Sequence, residues 1–395
     1  MDTFYRSTRV EISLDALRHN IEAFRSCLPE RIALMAVIKA DAYGHGAVQV
    51  ARETLEHGVS YLAVAFLDEA IELRQAGIEA PILVLGHAPV KGIELAAREG
   101  ITLTAFSEEM LAALARRPQD APELAVHIKI DTGMGRLGLQ STEDAVSYIE
   151  RAMALPGVRV EGLFTHYACA DEKDKTVTLN QYARFRAVVD AFAEKGITFL
   201  YLHAGNTAAA IDTPELTCNM VRLGIGMYGL YPSEEVRKES IALQPVMSIK
   251  AEIVHLKRVK AGAGISYGHR YHVLREEEAI ATLPIGYADG YSRMLTGKAE
   301  ALIGGTRVPI VGTVCMDQCM AEVTDVPGVS AGDEAVLLGS QGAELISAEE
   351  LAAKLGTINY EITCMISHRV PRIYIRGGRI VHILNHLRHE QHTPE

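Results

Sequence analysis

The sequence has no tryptophan, few cysteines for its length and no long apolar segment. Its 395 residues include six cysteines, which are scattered along the chain. Such spacing does not form the framework of a small disulfide-rich domain. No apolar run is long enough to span a bilayer. The first residues, MDTFYRSTRVEIS, lack the apolar core of a signal peptide. We therefore expect a reduced, soluble, cytoplasmic protein.

An excess of positive charge is also missing. The net charge of −11 argues against nucleic acid or an anionic membrane surface as the main partner. Hydrophobic residues make up 48% of the chain and charged residues 23%, as in a globular protein with a large core. The length itself suggests two domains rather than one.

Short apolar segments alternate with amphipathic ones through the first part of the chain. The predicted strands are 32–38, 61–65, 82–85, 101–104, 125–130, 160–165, 199–203 and 218–223. About eight βα units in succession are typical of a TIM-type barrel. A doubly wound open sheet is the alternative, and it would need fewer strands. We therefore predict that residues 1–244 form a (β/α)8 barrel.

The pattern changes at Pro245, where short strands punctuated by glycines replace the alternation. We predict a mainly antiparallel β domain over 245–395, with a strand at 246–256 and one helix at 347–355. Cys315 and Cys319 lack a second ligand pair at zinc-like spacing, so we predict no metal site. The histidine-rich end, HILNHLRHEQHTPE, suggests metal binding by composition alone, and a frayed terminus is the better interpretation.

One lysine follows the first buried strand of the predicted barrel. Lys39 ends the apolar run 32–38 and stands before a polar loop in the segment IALMAVIKADAYGHG. Active sites of α/β folds lie at this edge of the sheet. A lysine at that edge can form a Schiff base with a carbonyl ligand. A solvated loop lysine is the alternative interpretation.

Other strands of the predicted barrel also end in polar residues. They are Arg136 after the fifth strand, His166 after the sixth, Asn206 and Thr207 after the seventh, and Arg222 at the end of the eighth. Parallel strands of a barrel end on one face, so these side chains are expected to converge with Lys39. Any one of these residues could be a polar residue with a purely structural role. Polar residues at five strand ends on one face are much less expected by chance.

The run GIGMYG after Arg222 matches the dinucleotide-binding pattern GxGxxG of the Rossmann fold. It lies in the eighth βα unit, however, and the strand with an acidic residue that should follow in a Rossmann fold is missing. Barrels often bind phosphate in the loops after strands seven and eight. Backbone N–H groups near Gly224 and Ile225, with the hydroxyl of Thr207, could hold a phosphate there. A phosphate site and a Schiff-base lysine on one face together suggest pyridoxal phosphate.

Several motifs taken together resemble the alanine racemases, which are pyridoxal-phosphate enzymes built from a barrel and a β domain. In chain order they are AVIKADAYGHG, KIDTGMGRLG, HAGNTAA, RLGIGMYG, ISYG, GYADGY and VCMDQ. The resemblance covers nearly the whole chain. It implies interconversion of L- and D-alanine, which supplies D-alanine for peptidoglycan. It also implies a homodimer whose active site is shared between the subunits.

The resemblance also implies roles for individual residues. Lys39 would carry the cofactor, and Tyr267 of the other subunit would be the second base. The cofactor-binding residues would be Lys39, Tyr43, His166, Asn206, Thr207, Arg222, Gly224, Ile225 and Tyr360. Arg136 and Met316 would bind the substrate. The supporting residues would be Lys129, Tyr287 and Asp317, and Lys129 is carbamylated in some members of the family.

Racemisation removes a proton from one face of Cα and returns a proton to the other face. Lys39 and Tyr267 on opposite faces would serve D-alanine and L-alanine respectively. A phenol has an ordinary pKa of about 10, so a tyrosine base needs positive or hydrogen-bonding neighbours. His166 and Arg136 are the candidates. Arg222 can only donate, so it would leave the cofactor's ring nitrogen unprotonated and disfavour transamination.

Three positions depart from the family pattern, and none removes a catalytic group. Thr207 replaces a common serine, Gly205 a common alanine and Thr313 a common arginine. These changes leave open a serine or broad-specificity racemase. A basic amino-acid decarboxylase, a non-catalytic pyridoxal-phosphate carrier and an interaction protein are further alternatives. The Tyr267 motif ISYG argues against the decarboxylase, and the β domain with ISYG and VCMDQ argues against the carrier.

Overall fold

The computed structural model describes residues 4–388, which form two compact units. The barrel unit comprises Leu17–Ala42 and Ala47–Gln244. The β unit comprises the described residues up to Ala16, the segment Tyr43–Gly46 and the described residues from Pro245 onward. The domain boundaries 1–244 and 245–395 stay a prediction. The first strand, β1 (Arg9–Ser13), pairs with strands that follow Pro245.

The barrel unit is built on one parallel sheet. Its strands are β2 (Ala33–Val37), β3 (Tyr61–Val64), β4 (Ile82–Val84), β5 (Ile101–Ala105), β6 (Leu124–Lys129), β7 (Val158–Phe164), β8 (Tyr201–His203) and β9 (Met220–Leu223). They pair in the order β9-β2-β3-β4-β5-β6-β7-β8. The ends of this row meet where His203 forms a bridge with Cys218. The predicted (β/α)8 architecture is confirmed as a near-closed, eight-stranded barrel within the described residues.

Helices alternate with these strands. They are α1 (Leu14–Cys27), the short left-handed turn α2 (Lys39–Tyr43), α3 (Ala47–Glu56), α4 (Leu67–Gln75), α5 (Ile93–Arg98), α6 (Glu108–Ala115), α7 (Thr142–Met153), α8 (Thr176–Ala193) and α9 (Thr207–Asp212). Serine caps begin three of them, because Ser13 Oγ accepts from Ala16 N–H at 3.1 Å, Ser107 Oγ from Met110 N–H at 3.2 Å and Ser141 Oγ from Asp144 N–H at 3.0 Å. With helices on the outside, the central strands are buried on both faces and are continuously apolar.

The β unit contains a second, mainly antiparallel sheet. Its further strands are β10 (Met247–Glu252), β11 (His255–Lys260), β12 (Gly264–Ile265), β13 (Tyr271–His272), β14 (Glu277–Leu283), β15 (Glu300–Ile303), β16 (Thr306–Val311), β17 (Cys319–Glu322), β18 (Glu334–Gln341), β19 (Glu344–Ile346), β20 (Arg372–Arg376) and β21 (Arg379–Leu384). The main order is β11-β14-β17-β16-β15-β18-β10-β1-β20-β21. Only β1 and β20 pair in parallel among the described strands of this sheet. The predicted mainly antiparallel β domain is confirmed.

Two helices belong to the β unit, α10 (Ala348–Leu355) and α11 (Asn359–Cys364). The predicted helix at 347–355 is α10. The predicted single strand at 246–256 is wrong, because the chain changes partners at Ile253–Val254 and forms two strands, β10 and β11.

Among residues 4–388, no helix is long and apolar enough to cross a membrane. The last seven residues of the histidine-rich end lie outside the described part of the chain.

Candidate active site

Lys39 comes directly after β2 at the carboxyl end of the barrel strands. Ile38 N–H donates to Ala63 O at 2.8 Å, which extends the strand pairing to the residue before Lys39. The chain then turns with a left-handed backbone, since Ala40, Asp41 and Ala42 have φ values of 52°, 52° and 53°. This conformation is costly for residues with a Cβ. It diverts the chain immediately after Lys39, whose side chain is half-buried.

The loop that follows β6 positions Arg136. Asp131 Oδ1 accepts from the N–H groups of Gly133 and Gly135 at 3.1 and 3.0 Å. The far end of the loop returns to the strand, because Leu139 N–H donates to Lys129 O at 3.0 Å. The motif KIDTGMGRLG therefore forms a closed loop on the end of β6, with Arg136 exposed.

The carboxyl end of the barrel holds a cluster of basic side chains. Lys129 is 5% exposed, and its Nζ lies 4.4 Å from the ring centre of Phe164. Burial, Arg222 and Arg136 lower the pKa of Lys129 well below its ordinary value. Burial also lowers the pKa of His166, and the nearby basic side chains of Arg222, Lys129, Arg136 and Lys39 lower it further. His166 is therefore a neutral imidazole among cations.

Arg222 on β9 is buried, and its terminal nitrogens are fully engaged. Nη1 donates to His203 Nδ1 at 2.9 Å and to His203 O at 2.8 Å. Nη2 donates to Thr165 O at 2.9 Å and Ala204 O at 3.0 Å, and it lies 3.1 Å from His166 Nδ1. Burial lowers the pKa of Arg222 to about 10, so it stays protonated at neutral pH. Within residues 4–388, neither a carboxylate nor any acceptor for Nε is hydrogen-bonded to this guanidinium.

A second group of site residues lies where α9 begins. Asn206 caps this helix through its Oδ1, which accepts from Ala209 N–H at 3.0 Å. Thr207 Oγ1 accepts from the N–H groups of Gly224 and Gly226 at 3.1 and 3.4 Å. The structure thus places Thr207 beside the GIGMYG segment, in which Ile225 follows Gly224 directly.

The glycine at position 205 is explained by the close approach of the Thr217 side chain to its Cα. A Cβ at this position would lie 2.5 Å from Thr217 Cγ2. The threonine side chain therefore occupies the space that an alanine at position 205 would need. This departure from the family pattern therefore reflects packing against Thr217, and it does not change a group that a ligand would contact.

In the β unit, Tyr267 lies on a strained turn. Ser266 has a φ of 66° and His269 a φ of 45°. Two hydrogen bonds hold the turn, from Thr313 Oγ1 to Tyr267 O at 2.9 Å and from Ser266 Oγ to Thr313 O at 2.6 Å. The Tyr267 side chain is 72% exposed. The departure at Thr313 therefore supplies a hydroxyl that fixes the backbone of Tyr267.

The segments that carry Met316 and Tyr287 lie side by side. Tyr287 N–H donates to Cys315 O, and Ala288 N–H donates to Met316 O, both at 3.0 Å. Met316 is 52% exposed and Tyr287 40% exposed. Asp317 accepts a hydrogen bond from Arg369 at 2.7 Å.

Tyr43 and Tyr360 also lie together in the β unit. Their ring centres are 6.1 Å apart. Tyr43 is 7% exposed, and burial, followed by Tyr360 and Cys364, raises the pKa of its phenol. Its hydroxyl therefore stays protonated and can donate.

The predicted site residues therefore form separate groups, within which the structure brings them together. One important partner of Arg222 was not predicted. His203 begins the HAGNTAA motif, and its ring accepts from Arg222. Polar residues in otherwise apolar strands, His127 in β6 and Glu161 in β7, were also missed. Both residues can be recognised in the sequence as polar positions within strands. The sequence does not indicate which residues of other strands their side chains contact.

The fold and the basic end of the barrel define a barrel enzyme with an appended β domain. Family models described as the alanine racemase N-terminal and C-terminal domains match residues 12–232 and 246–374. The chain belongs to the alanine racemase family.

Individual relatives agree with this assignment. An alanine racemase from Desulforamulus reducens is 48% identical over 366 residues, which are 92% of this chain and 98% of that protein. The crystal structure of an alanine racemase from Bacillus anthracis, with bound L-Ala-P, has a TM-score of 0.92 at 43% identity and covers 98% of this chain and 99% of that one. A histidine racemase from Leuconostoc mesenteroides has a TM-score of 0.87 at 30% identity and covers 95% of this chain and 100% of that one.

Proposed function

We propose that this protein is a homodimeric alanine racemase that uses pyridoxal phosphate and interconverts L- and D-alanine. The observation that carries the proposal is the buried Arg222, whose Nε has no hydrogen-bond acceptor within the described residues, beside His166, whose pKa both Arg222 and Lys39 lower. Full-length similarity to alanine racemases supports the reaction. The cofactor and the dimer are inferences from the chemistry of the residues.

The residues present fit the proposed cofactor. A phosphate and a phenolic oxygen are anionic, and the guanidinium groups of Arg136 and Arg222, together with Lys39, surround His166 with cationic groups. In our proposal Arg222 Nε donates to the ring nitrogen. Ring and phosphate contacts would come from Tyr43, His166, Asn206, Thr207, Gly224, Ile225 and Tyr360. Lys39 would attach the cofactor covalently through its amine.

When bound, pyridoxal phosphate supplies a carbonyl that condenses with an amine and a ring that withdraws electrons from the adjacent carbon. The chain's own residues then handle protons and position. Lys39 Nζ, displaced by the substrate amine, removes or returns the proton on one face of Cα. Tyr267 Oη of the second subunit does the same on the opposite face. Each positioned base is worth roughly 10²–10⁴-fold in rate.

Arg136 and Met316 are proposed to bind the substrate carboxylate. Arg136 offers a guanidinium fork that matches a carboxylate. Lys129 would brace Arg136 once it carries a carbamate, because the neutral amine favoured by its surroundings can react with carbon dioxide. Tyr287 and Asp317 would support the segment that carries Met316.

The exposure of Tyr267 supports a shared active site. A proposed base that is 72% exposed in a single chain lacks the enclosed surroundings that proton transfer requires. A second copy of the chain would supply them. In this arrangement each barrel unit receives Tyr267 and Met316 from the partner subunit.

We further propose a cytoplasmic location and a role in supplying D-alanine for peptidoglycan. A broader substrate range is the second candidate, because a histidine racemase shares the fold at 30% identity. Initial rates with alanine, serine, histidine and lysine would decide between them. A kcat/KM for another amino acid equal to that for alanine would favour the broad enzyme.

The decisive experiment is an absorption spectrum of the purified protein before and after borohydride, with mass spectrometry of the Lys39 peptide. We expect a visible band that borohydride removes and a pyridoxyl group on Lys39. Racemisation of L-alanine is then assayed on the same sample. A protein that shows no band and does not bind added pyridoxal phosphate would contradict the proposal.

A further inference from the structure

We propose that Glu161 is a positioning residue for Arg222 and acts through a relay of buried side chains, His127 and His203, inside the barrel. The relay fixes which ring nitrogen of each histidine carries hydrogen. His203 Nδ1 then accepts a hydrogen bond from Arg222 Nη1, and Arg222 Nε remains available to donate to a ligand. Only the identity of that ligand depends on the proposed function.

The relay is continuous from the site towards the opposite end of the strands. Arg222 Nη1 lies 2.9 Å from His203 Nδ1, and His203 Nε2 lies 2.8 Å from His127 Nδ1. His127 Nε2 lies 3.2 Å from Glu161 Oε2. Both histidines are completely buried. Barrel interiors are normally filled by branched apolar side chains, so a buried polar chain of this length needs a specific reason.

The direction of every hydrogen bond in the relay follows from its two ends. An arginine has no acceptor, so His203 Nδ1 must accept and its hydrogen must be on Nε2. His203 Nε2 then donates to His127 Nδ1, and His127 Nε2 donates to Glu161. Burial lowers the pKa of both histidines, which are therefore neutral and carry one ring hydrogen each.

Glu161 is held as an acceptor by its other partners. Arg159 Nη1 donates to Oε1 at 2.6 Å, and Tyr61 Oη donates to Oε2 at 2.9 Å. Thr102 Oγ1 lies 2.6 Å from Tyr61 Oη and can donate to it. Burial would raise the pKa of Glu161, but its hydrogen bonds with His127 and Arg159 lower that pKa to about 2. A carboxylate at this end can only accept, so the relay runs in one direction.

The strands are built to hold the His127 ring. The pairing of β6 and β7 shifts register between Val126 and His127, and Gly162 is the residue opposite His127. A Cβ on Gly162 would lie 2.9 Å from His127 Cε1. The ring of His203 is stacked on Phe164, with centres 4.7 Å apart and planes inclined by 4°. The two imidazoles therefore have fixed orientations, which a relay requires.

The test is the position of the histidine hydrogens, read by ¹⁵N NMR of histidine-labelled holoenzyme. His127→Asn and His203→Asn assign the signals. Wild-type protein should show hydrogen on Nε2 of both rings. In Glu161→Gln the amide can rotate and donate, so His127 should take up hydrogen on Nδ1 in part of the population. The racemisation kcat should fall about tenfold, as for one lost charge-assisted hydrogen bond.

The matched control is Glu123→Gln. Glu123 binds Arg159 at 2.7 Å on the exposed side and does not touch the histidines. Its replacement should leave both ring hydrogens and kcat unchanged. Glu161→Asp keeps the charge and should retain the wild-type ring hydrogens, which a purely structural role for the side-chain volume would not predict.

Hydrogen on Nδ1 of His203 in the wild type would overturn the proposal. Identical ring hydrogens in wild type and Glu161→Gln would overturn it as well. If Glu161→Gln does not fold, neutron diffraction from crystals grown of the wild-type protein reads the same hydrogens directly. An absent visible band would contradict the proposed cofactor but would leave the histidine result standing, so the two failures can be told apart.

Discussion

The candidate site residues of the two units are held in different ways. In the barrel unit, Arg222 and Lys129 are buried, and strand geometry and hydrogen bonds fix the guanidinium of Arg222. In the β unit, Tyr267 and Met316 are exposed, and only their backbones are held. The buried basic groups Arg222 and Lys129, which set the charge of the site, are thus fixed within one chain. Tyr267 and Met316 are displayed on a surface, and in the proposed dimer they would complete the site of the partner subunit.

The largest expected effect distinguishes the two proposed bases. Lys39→Ala should abolish both the visible band and racemisation. Tyr267→Phe should keep the band but lower racemisation roughly 10²–10⁴-fold, because it removes one positioned base. Exchange of the Cα hydrogen with deuterated water should continue for D-alanine and be lost for L-alanine. Tyr5→Phe, at another exposed tyrosine, should change neither rate. Equal loss of exchange for both enantiomers would contradict the two-base assignment.

Mixing two inactive variants tests whether Tyr267 acts across subunits. Lys39→Ala and Tyr267→Phe, unfolded and refolded together, should regain about a quarter of wild-type activity, because random pairing gives half hybrid dimers with one intact site each. Each variant refolded alone is the control. Failure to regain activity, with hybrid dimers seen by native mass spectrometry, would place Tyr267 in its own subunit's site.

Replacing Arg222 tests the buried donor. Arg222→Glu should raise the fraction of transamination relative to racemisation, because an acid would protonate the ring nitrogen that arginine leaves unprotonated. It should also cost roughly 3–5 kcal/mol of unfolding free energy, because it breaks a buried charge network. Pyruvate formation and urea unfolding measure the two effects. Arg222→Lys keeps the charge as a control, and unchanged partitioning in Arg222→Glu would refute the idea.

The lowered pKa of Glu161 leads us to expect that the stability of the protein depends on pH. The pKa of Glu161 is about 2 in the folded chain against an ordinary 4.5, so its stabilisation is complete above pH 4.5 and is lost as pH falls towards 2. The gap in unfolding free energy between wild type and Glu161→Gln should be widest at neutral pH, on the order of 1–2 kcal/mol for a partly solvent-screened carboxylate, and should shrink below pH 4.5. Glu123→Gln, at the exposed carboxylate, should show little gap. A gap that does not vary with pH would contradict the assignment.

The smallest expected effect concerns the turn in the β unit. Thr313→Val removes the hydroxyl that donates to Tyr267 O and should cost roughly 0.5–1.5 kcal/mol of stability. The kcat should fall by less than tenfold, because only the placement of Tyr267 changes. Thr324→Val, which removes a hydroxyl bonded to Ala279 N–H in the same unit, should affect stability without affecting kcat. A large loss of activity in both variants would indicate general destabilisation.

Much of the fold could be predicted because its signal is local. Strands buried on both faces are continuously apolar, and Ser107 and Ser141 cap the helices they precede. Partner changes within a strand-like run, as at Ile253–Val254, depend on neighbours distant in sequence and were missed. The helix that carries Tyr360 was missed for a related reason, since it is only one and a half turns long and lacks a side-chain cap.

The sequence by itself determined the eight strands of the barrel, the position of Lys39 at the end of one of them and the family to which the chain belongs. These follow from periodicity and from motifs whose residues are neighbours along the chain. Only the tertiary structure decided which polar side chains meet inside the barrel. His127, Glu161 and His203 lie on three different strands, and strand pairing and the shift at His127 bring them into one line. Hydrogen bonds require atoms within about 3 Å, and no pattern in the sequence specifies that distance.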